Sequence, residues 1–412
     1  MKHHELAVWL YGIEIARLKQ RRPYRYLLTF TEESRSAFGD GSTAMSLAIP
    51  MRGKISDGEF NDRPVSFFIG GLLPEGNVLA ALASRLKVST GEYLPLLGAV
   101  GYECAGAVQF LEPGTAPSDG WLEPLSTGEV IKLVEESPTH PVGHEPQASL
   151  AGVQDKLLLT KTPEGWAWPR AGAPSTHIIK PDPIENAVLP GLIDAEVWAL
   201  NVARAAGLAA PMATIETFGS RRALIVERYD RAADGTRIHQ EDFAQALSLN
   251  PSDKYETTVM ESPYRLERLM QRLIPASASP TEARQTLLSQ LTFNILIGNG
   301  DAHAKNYSVM LLPDGEARLA PLYDVAPTAF MQPRYNKSGL VINGKRELNS
   351  INFTDLIAEA GKWGLPPRLA RNTVEDVFDA VKAAVRNSAL PDDLGGIMAS
   401  LNNSWERKWL AR

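Results

Sequence analysis

The sequence predicts an α+β chain whose strand-forming runs gather before residue 230 and whose helical patterns dominate after Gln240. Three observations carry that expectation. Short β-branched and aromatic runs broken by Gly and Pro recur in the first part, apolar residues at helical spacing recur in the last, and a Pro-rich stretch at 111–146 separates two apolar regions.

A chain of 412 residues with 44% hydrophobic content is long enough for two or three cores of ordinary domain size. A net charge of −6 argues against binding nucleic acid through the overall field, so any DNA contact needs a partner protein. The single cysteine, Cys104, excludes an internal disulfide framework and a Cys-rich zinc site, and fits a reducing compartment. Within Gly-Tyr-Glu-Cys-Ala-Gly-Ala-Val it reads as core rather than nucleophile. The start, MKHHELAVWLYG, has no long apolar segment, and no later stretch supplies about 18 uncharged apolar residues. A soluble, cytoplasmic protein without a membrane partner is expected.

In chain order, the runs at 6–11 and 24–30, separated by the basic stretch 17–22, predict a hairpin or meander. Residues 67–77 precede helical patterns at 78–86 and 92–100, which completes a small α+β unit. Between 111 and 146, prolines at 113, 117, 124, 138, 141 and 146 favour a linker or irregular crossover around one amphipathic segment, 127–136, and the main boundary is placed there. Residues 156–161 and 166–169 flank a Pro-Glu-Gly turn as a hairpin, followed by a strand at 176–180 ended by Pro181. Ile193, Val197, Leu200 and Ala203 mark a helix over about 191–206, with Gly207 in the C′ position. Another hairpin, 213–218 and 223–227, turns at Gly219-Ser220. Strands, helix, strands is the order of a kinase N-lobe. Beyond Gln240 only one further hairpin is expected. The helix over 281–297 carries an apolar stripe of Leu287, Leu288, Leu291, Ile295 and Leu296 for burial of one face, and stops at Gly298-Asn-Gly300.

Residues 298–324 hold the strongest chemical pattern. Asp301 is followed five residues later by Asn306, then by a hairpin around Pro313-Asp-Gly315, then by Asp324. Phosphoryl transfer from a nucleotide needs a base for the accepting hydroxyl and oxygen ligands for magnesium on the phosphates. A hairpin returns the chain, so Asp324 can meet Asp301 and Asn306. Taken singly, each reads as a turn or cap residue rather than a catalytic one; together they favour a magnesium–phosphate site. Lys180 ends an apolar strand and is either a solvated terminus or a phosphate contact oriented by Glu196. The segment 149–156 precedes a strand, as a phosphate-covering loop does, but has one glycine and reads equally as a turn. His303 reads as a hydrogen-bonding loop residue rather than a metal ligand. No H-E-x-x-H, G-x-S-x-G, Walker A or Rossmann pattern is present.

The chain resembles the HipA-family serine/threonine kinases, the toxin half of HipBA-type toxin–antitoxin pairs. The phrases that carry the resemblance are Gly71-Leu-Leu-Pro-Glu-Gly76, Ser149-Leu-Ala-Gly-Val-Gln-Asp-Lys156, His177-Ile-Ile-Lys180, Val226-Glu-Arg-Tyr-Asp-Arg231, Gln240-Glu-Asp-Phe-Ala-Gln-Ala-Leu247, Asp301-Ala-His-Ala-Lys-Asn306 and Pro321-Leu-Tyr-Asp324. The resemblance implies a two-lobed protein-kinase-like fold with a small N-terminal α+β subdomain (1–112), a kinase N-lobe with its linker (113–229) and a mainly helical C-lobe (230–412). It implies ATP and Mg2+, with Asp301 as catalytic base and Asn306 and Asp324 as magnesium ligands. Lys180 would contact phosphates, and Glu227, Arg228 and Tyr229 would hold adenine by their backbone. Ala151, Gly152, Val153, Gln154, Asp155 and Lys156 would cover the nucleotide, with His303, Lys305 and Tyr323 as further contacts. Ser149 matches the family's autophosphorylated serine; a phosphate there would expel the loop from ATP and switch the enzyme off.

Three departures stand out. Asp155 replaces the usual Glu. Ala302 replaces the usual Gly, which matters only if that position needs positive φ. Gly300 stands where many protein kinases have Arg, so activation through a phosphorylated activation loop is not expected. The implied partners are a HipB-like helix-turn-helix antitoxin, DNA only through that antitoxin, and a protein substrate such as an aminoacyl-tRNA synthetase. Two alternatives remain open: a non-catalytic ATP-binding co-repressor, which need not keep Lys180, Asp301, Asn306 and Asp324, and a small-molecule phosphotransferase, which shares their logic. Lys382 and Arg386 read as a solvated helix face.

Overall fold

The computed structural model describes residues 5–22, 24–59, 62–137, 156–183, 189–257, 264–390, 395–406 and Trp409. Ser149 and residues 151–155 therefore lie outside the described residues. The chain forms two compact units: one of Met1–Asp182, Glu216–Ser252 and Met310–Ala317, the other of Pro183–Ile215, Asp253–Val309 and Arg318–Arg412.

The first unit begins with β1 (Glu5–Leu10), β2 (Ile13–Arg22), β3 (Arg25–Phe30), β4 (Lys54–Ser56) and β5 (Gln109–Leu111), in the sheet order β4-β3-β2-β1-β5. The expected meander is present. Tyr11 and Gly12, at φ of 51° and 77°, supply the two left-handed residues that a tight hairpin needs. The register sets Leu6 against Leu18, and Leu18 against Leu28. The helices Pro64–Leu72, Gly76–Leu86 and Tyr93–Val100 complete its core with Phe68, Leu82, Leu94 and Leu97. Cys104 is buried in that core, and its thiol is pushed up to about 12 by burial, which leaves it inert.

A second sheet follows, with β6 (Trp121–Pro124), β7 (Leu157–Thr162), β8 (Gly165–Arg170), β9 (His177–Pro181), β10 (Ala213–Phe218) and β11 (Arg221–Glu227), ordered β10-β11-β9-β7-β8-β6. Within the Pro-rich stretch expected as a linker or crossover, residues 121–124 form a strand of this sheet and the amphipathic segment 127–136 is a helix. β6 is the sheet's edge, where Pro124 costs no ladder bond, and it pairs with β8. Helix Thr127–Glu136 opens with a Ser126–Glu129 capping box and buries Val130, Leu133 and Val134 against Leu159, Ile179 and Ile225. Arg221 closes its other end by donating to the carbonyl of Val134 at 2.8 Å and to that of Ser137.

In the second unit, helix Pro280–Ile297 is buried on every side from Gln290 onward, not along one face. Its polar side chains are satisfied inside: Gln290 donates to the Ala320 carbonyl at 2.7 Å and Thr292 to that of Leu288 at 2.7 Å. Helix Pro367–Arg386 packs against it. Helix Leu192–Ala205, flanked in sequence by the strands of the second sheet, packs on Pro367–Arg386 in this unit, with Trp198 Nε1 donating to Ser388 Oγ at 2.9 Å. A further hairpin, Lys337–Ile342 and Lys345–Glu347, was not expected. It turns at Asn343-Gly344, with φ of 49° and 77°. Among the described residues no single helix is long and apolar enough to cross a membrane.

Candidate active site

Helix Pro280–Ile297 ends at Gly298, whose φ of 72° gives a left-handed cap, its N–H turned back to Asn294 and Ile295 carbonyls. The loop that follows is closed by its own hydrogen bonds. Asn299 Nδ2 donates to Asn294 Oδ1 at 2.8 Å, and Asn299 Oδ1 accepts the Asp301 N–H at 3.0 Å. Asn294 is fixed in turn by donating to the Tyr307 hydroxyl at 2.9 Å, and burial pushes the Tyr307 pKa up so that the phenol stays neutral. Gly300 N–H donates to Thr328 Oγ1 at 2.8 Å. A Cβ on Gly300 would run into the Tyr335 carbonyl oxygen and stand 2.8 Å from the carbonyl carbon, so only glycine fits. Ala302 adopts no positive φ, and its departure from glycine is tolerated.

The Asp301 carbonyl accepts both the His303 N–H, at 2.7 Å, and Asn306 Nδ2, at 2.8 Å. That second bond uses the amide nitrogen and turns the Asn306 Oδ1 away as an acceptor. Asp301 is half-buried, while His303, Lys305 and Asn306 are buried. The Asp301 carboxylate receives the hydroxyl of Tyr255 at Oδ1.

The strands Ser308–Leu311 and Ala317–Leu319 return the chain as expected, with Ala320 N–H donating to the Ser308 carbonyl at 2.9 Å. Tyr323 then donates to the Lys305 carbonyl at 2.8 Å, with its hydroxyl 2.6 Å from Ser308 Oγ. Those bonds set the residue before Asp324 against the residue before Asn306. Asp324 itself is half-buried and takes φ of 55°, a left-handed conformation that few residues with a Cβ adopt, although Asp and Asn do so more readily than most.

In the first unit, Lys180 is buried on β9 opposite Leu224, and Lys156 is half-buried just before β7. Glu196 is buried in helix Leu192–Ala205 of the other unit. Glu227 is exposed at the end of β11 opposite His177, and the Arg228 N–H is committed to the Thr176 carbonyl at 2.9 Å. The Arg228 side chain turns inward to a buried cluster of Glu103, Asp230, Arg231 and Arg237. Tyr229 bonds the Gln240 side chain.

Residues 6–111 match the HipA N-terminal domain, and residues 148–385 match the HipA-like C-terminal domain. The chain belongs to the HipA family. A relative from Sinorhizobium fredii, named as a kinase, is 35% identical over 364 residues, which covers 84% of this chain and 83% of the relative. The serine/threonine-protein kinase toxin HipA of Shewanella oneidensis is 30% identical over 345 residues, covering 80% and 78%. The solved Shewanella oneidensis complex of HipA, HipB and operator DNA contains a chain that superposes with a TM-score of 0.76 at 27% identity, covering 97% of this chain and 95% of that one. The protein is a HipA-family kinase with the α+β, kinase-like fold expected.

Two features of this HipA-family chain escaped sequence reasoning. Tyr255 reaches Asp301 from 46 residues away, and no spacing rule announces such a contact. Glu103 was readable: an acidic residue inside an apolar, small-residue run is a sign of a buried and paired charge.

Proposed function

We propose that the protein is a serine/threonine protein kinase toxin that moves the γ-phosphate of ATP to a hydroxyl of a protein. The observation that supports this most is the bonded loop in which Asn306 is tied to the Asp301 carbonyl and Tyr323 to the Lys305 carbonyl. Asp301 is the base: as the acceptor oxygen bonds the γ-phosphorus and the bond to the leaving β-phosphate oxygen breaks, the hydroxyl proton passes to its carboxylate.

Magnesium fits Asn306 and Asp324 as oxygen donors: Asn306 has its amide nitrogen engaged and its carbonyl oxygen to offer, and Asp324 follows Tyr323, whose hydroxyl is bonded to the Lys305 carbonyl. When bound, the metal would neutralise phosphate charge. Among the described residues no group of three His, Cys, Asp or Glu stands together as a metal site. We assign Lys180 to the phosphates, His303, Lys305 and Tyr323 to the nucleotide side of the loop, and residues 151–156 to the cover. We assign adenine to the backbone of the segment 227–229, in which the Arg228 N–H is bonded to the Thr176 carbonyl.

The subdomain limits 1–112, 113–229 and 230–412, cytoplasmic location, and autophosphorylation at Ser149 as the off-switch belong to the same reading. So do a HipB-like antitoxin, supported by the complex in which the Shewanella relative was solved, and an aminoacyl-tRNA synthetase as substrate. The test is incubation with Mg-ATP followed by intact-mass measurement. The wild type is expected to gain phosphate, Ser149→Ala to gain less, and Asp301→Asn none. No gain by the wild type, or equal gain by Asp301→Asn, overturns the reading. Phosphoproteomics after brief expression, with Asp301→Asn as control, identifies the substrate.

A further inference from the structure

We infer that Tyr255 is a positioning residue for phosphoryl transfer, its hydroxyl fixing the rotation of the Asp301 carboxylate. That role rests on the proposed assignment of Asp301 as the base. Tyr255 stands between two anchored neighbours. On one side, the Lys254 carbonyl accepts the N–H of Ala304, from the loop that carries Asp301, at 3.0 Å, and Arg265 Nη1 at 3.0 Å. On the other, Glu256 donates its N–H to the Gly339 carbonyl at 2.8 Å, and its buried carboxylate accepts the N–H groups of Val341 at 2.8 Å and Arg265 at 2.9 Å.

The strand that holds Glu256 is itself flush against the loop. A Cβ on Gly339 would lie 2.5 Å from the Ala302 carbonyl oxygen and 2.5 Å from His303 Cα. The tyrosine ring meets the His303 ring edge-on, with centroids 4.9 Å apart at 84°. Backbone and ring contacts thus place the tyrosine before its hydroxyl is counted, and the hydroxyl is delivered to Asp301 Oδ1.

The chemistry of that bond suits a base. A carboxylate on one side-chain bond to Cβ turns readily, and a donor on one oxygen fixes the direction the other faces. A phenol does this without cancelling the negative charge, as a lysine or arginine there would. The loop is already closed by its backbone bonds, so the fold does not depend on the hydroxyl.

The experiment is Tyr255→Phe in the full chain, following the initial rate of phosphate gain from Mg-ATP against ATP concentration, with thermal melting and fluorescent ATP-analogue binding as controls. We expect the maximal rate to fall about ten- to a hundredfold, with half-saturating ATP, analogue binding and melting unchanged. An unchanged rate overturns the inference, and a faster one overturns it in favour of a hydroxyl that blocks the base. If Phe disturbs the fold, Tyr255→3-fluorotyrosine, which keeps the hydroxyl, must retain the rate; a tenfold loss there overturns it. Asp301→Asn separates the two levels: if inactive while Tyr255→Phe is at full rate, only the role of Tyr255 fails, and if active, the base assignment fails with it.

Discussion

Arg228 grips Asp230, two residues along the chain, with two bonds: Nε to Oδ1 at 2.9 Å and Nη2 to Oδ2 at 2.7 Å. Its Nη1 reaches Glu103 at 3.0 Å, and Glu103 also holds Arg231 at 3.0 Å and Arg237. Three guanidiniums thus share two carboxylates in the interior. Burial alone would raise the Glu103 pKa, but Arg231, Arg237 and Arg228 outweigh it and hold the carboxyl down to about 2. Removing one partner of such a pair leaves charge stranded, so Glu103→Gln should destabilise by about 3–5 kcal/mol, read by urea unfolding followed by circular dichroism. The same bonds predict acid lability. A lowered carboxyl pKa gives stability that is complete above the ordinary value of about 4.3 and is lost as pH falls toward 2. Glu103→Gln should flatten that part of the profile.

His239 marks a second window. It is fully buried, with Nε2 donating to the Met45 carbonyl at 2.8 Å and Nδ1 accepting the Ala107 N–H at 3.3 Å, which requires the neutral ring. Burial lowers its pKa to about 4, against the weaker pull of its bond to Met45 and of Asp230. The unfolded chain therefore binds the extra proton first. Stability should be complete above about 6.5 and fall by about 3 kcal/mol as pH drops to 4. His239→Gln keeps a donor for Met45 and should remove this slope from unfolding curves measured between those pH values, leaving the more acidic one.

Local signals made much of this molecule legible. The Pro-Asp-Gly turn returned the chain from Asn306 to Asp324, and Gly298 stopped the helix, because both depend on backbone conformations that few residues adopt. Asn343-Gly344 carries an equally strong hairpin signal within a region whose other patterns are helical. The segment 121–124 was less legible because a proline suits an edge strand as well as a linker, whereas Ser126 and Glu129 spell the capping box of the helix 127–136. Tyr255 and the partners of Glu103 were hidden for another reason. They meet across 46 and more than 120 residues, and such contacts follow from the packed fold alone.

Gly300 gives a steric prediction. The backbone of Tyr335 occupies the space of any side chain at that position, which is why no arginine can precede the aspartate here. Gly300→Ala must push the loop away from Tyr335. We expect a loss of about 1–3 kcal/mol in stability and at least a tenfold fall in phosphate gain, measured by thermal melting and intact mass. An alanine variant with wild-type rate would show that Tyr335 yields instead of the loop.

Asp324 separates stability from function. At φ of 55° its Cβ is a burden that glycine would not carry, worth about 1 kcal/mol before the larger unfolded-state entropy of glycine offsets part of it. Asp324→Gly should therefore melt at or slightly above the wild-type temperature, and Asp324→Asn close to it, since asparagine tolerates the left-handed region nearly as well. Both remove the carboxylate proposed for magnesium. Both should lose phosphate transfer at ordinary magnesium, with Asp324→Asn recovering part of it only at magnesium at least about tenfold higher, as expected for one lost anionic ligand. A packing role for Asp324 predicts the reverse: lower melting temperature and an unchanged magnesium titration. Retention of full activity by Asp324→Gly would remove the residue from the metal site, and its strained backbone would then have no functional explanation.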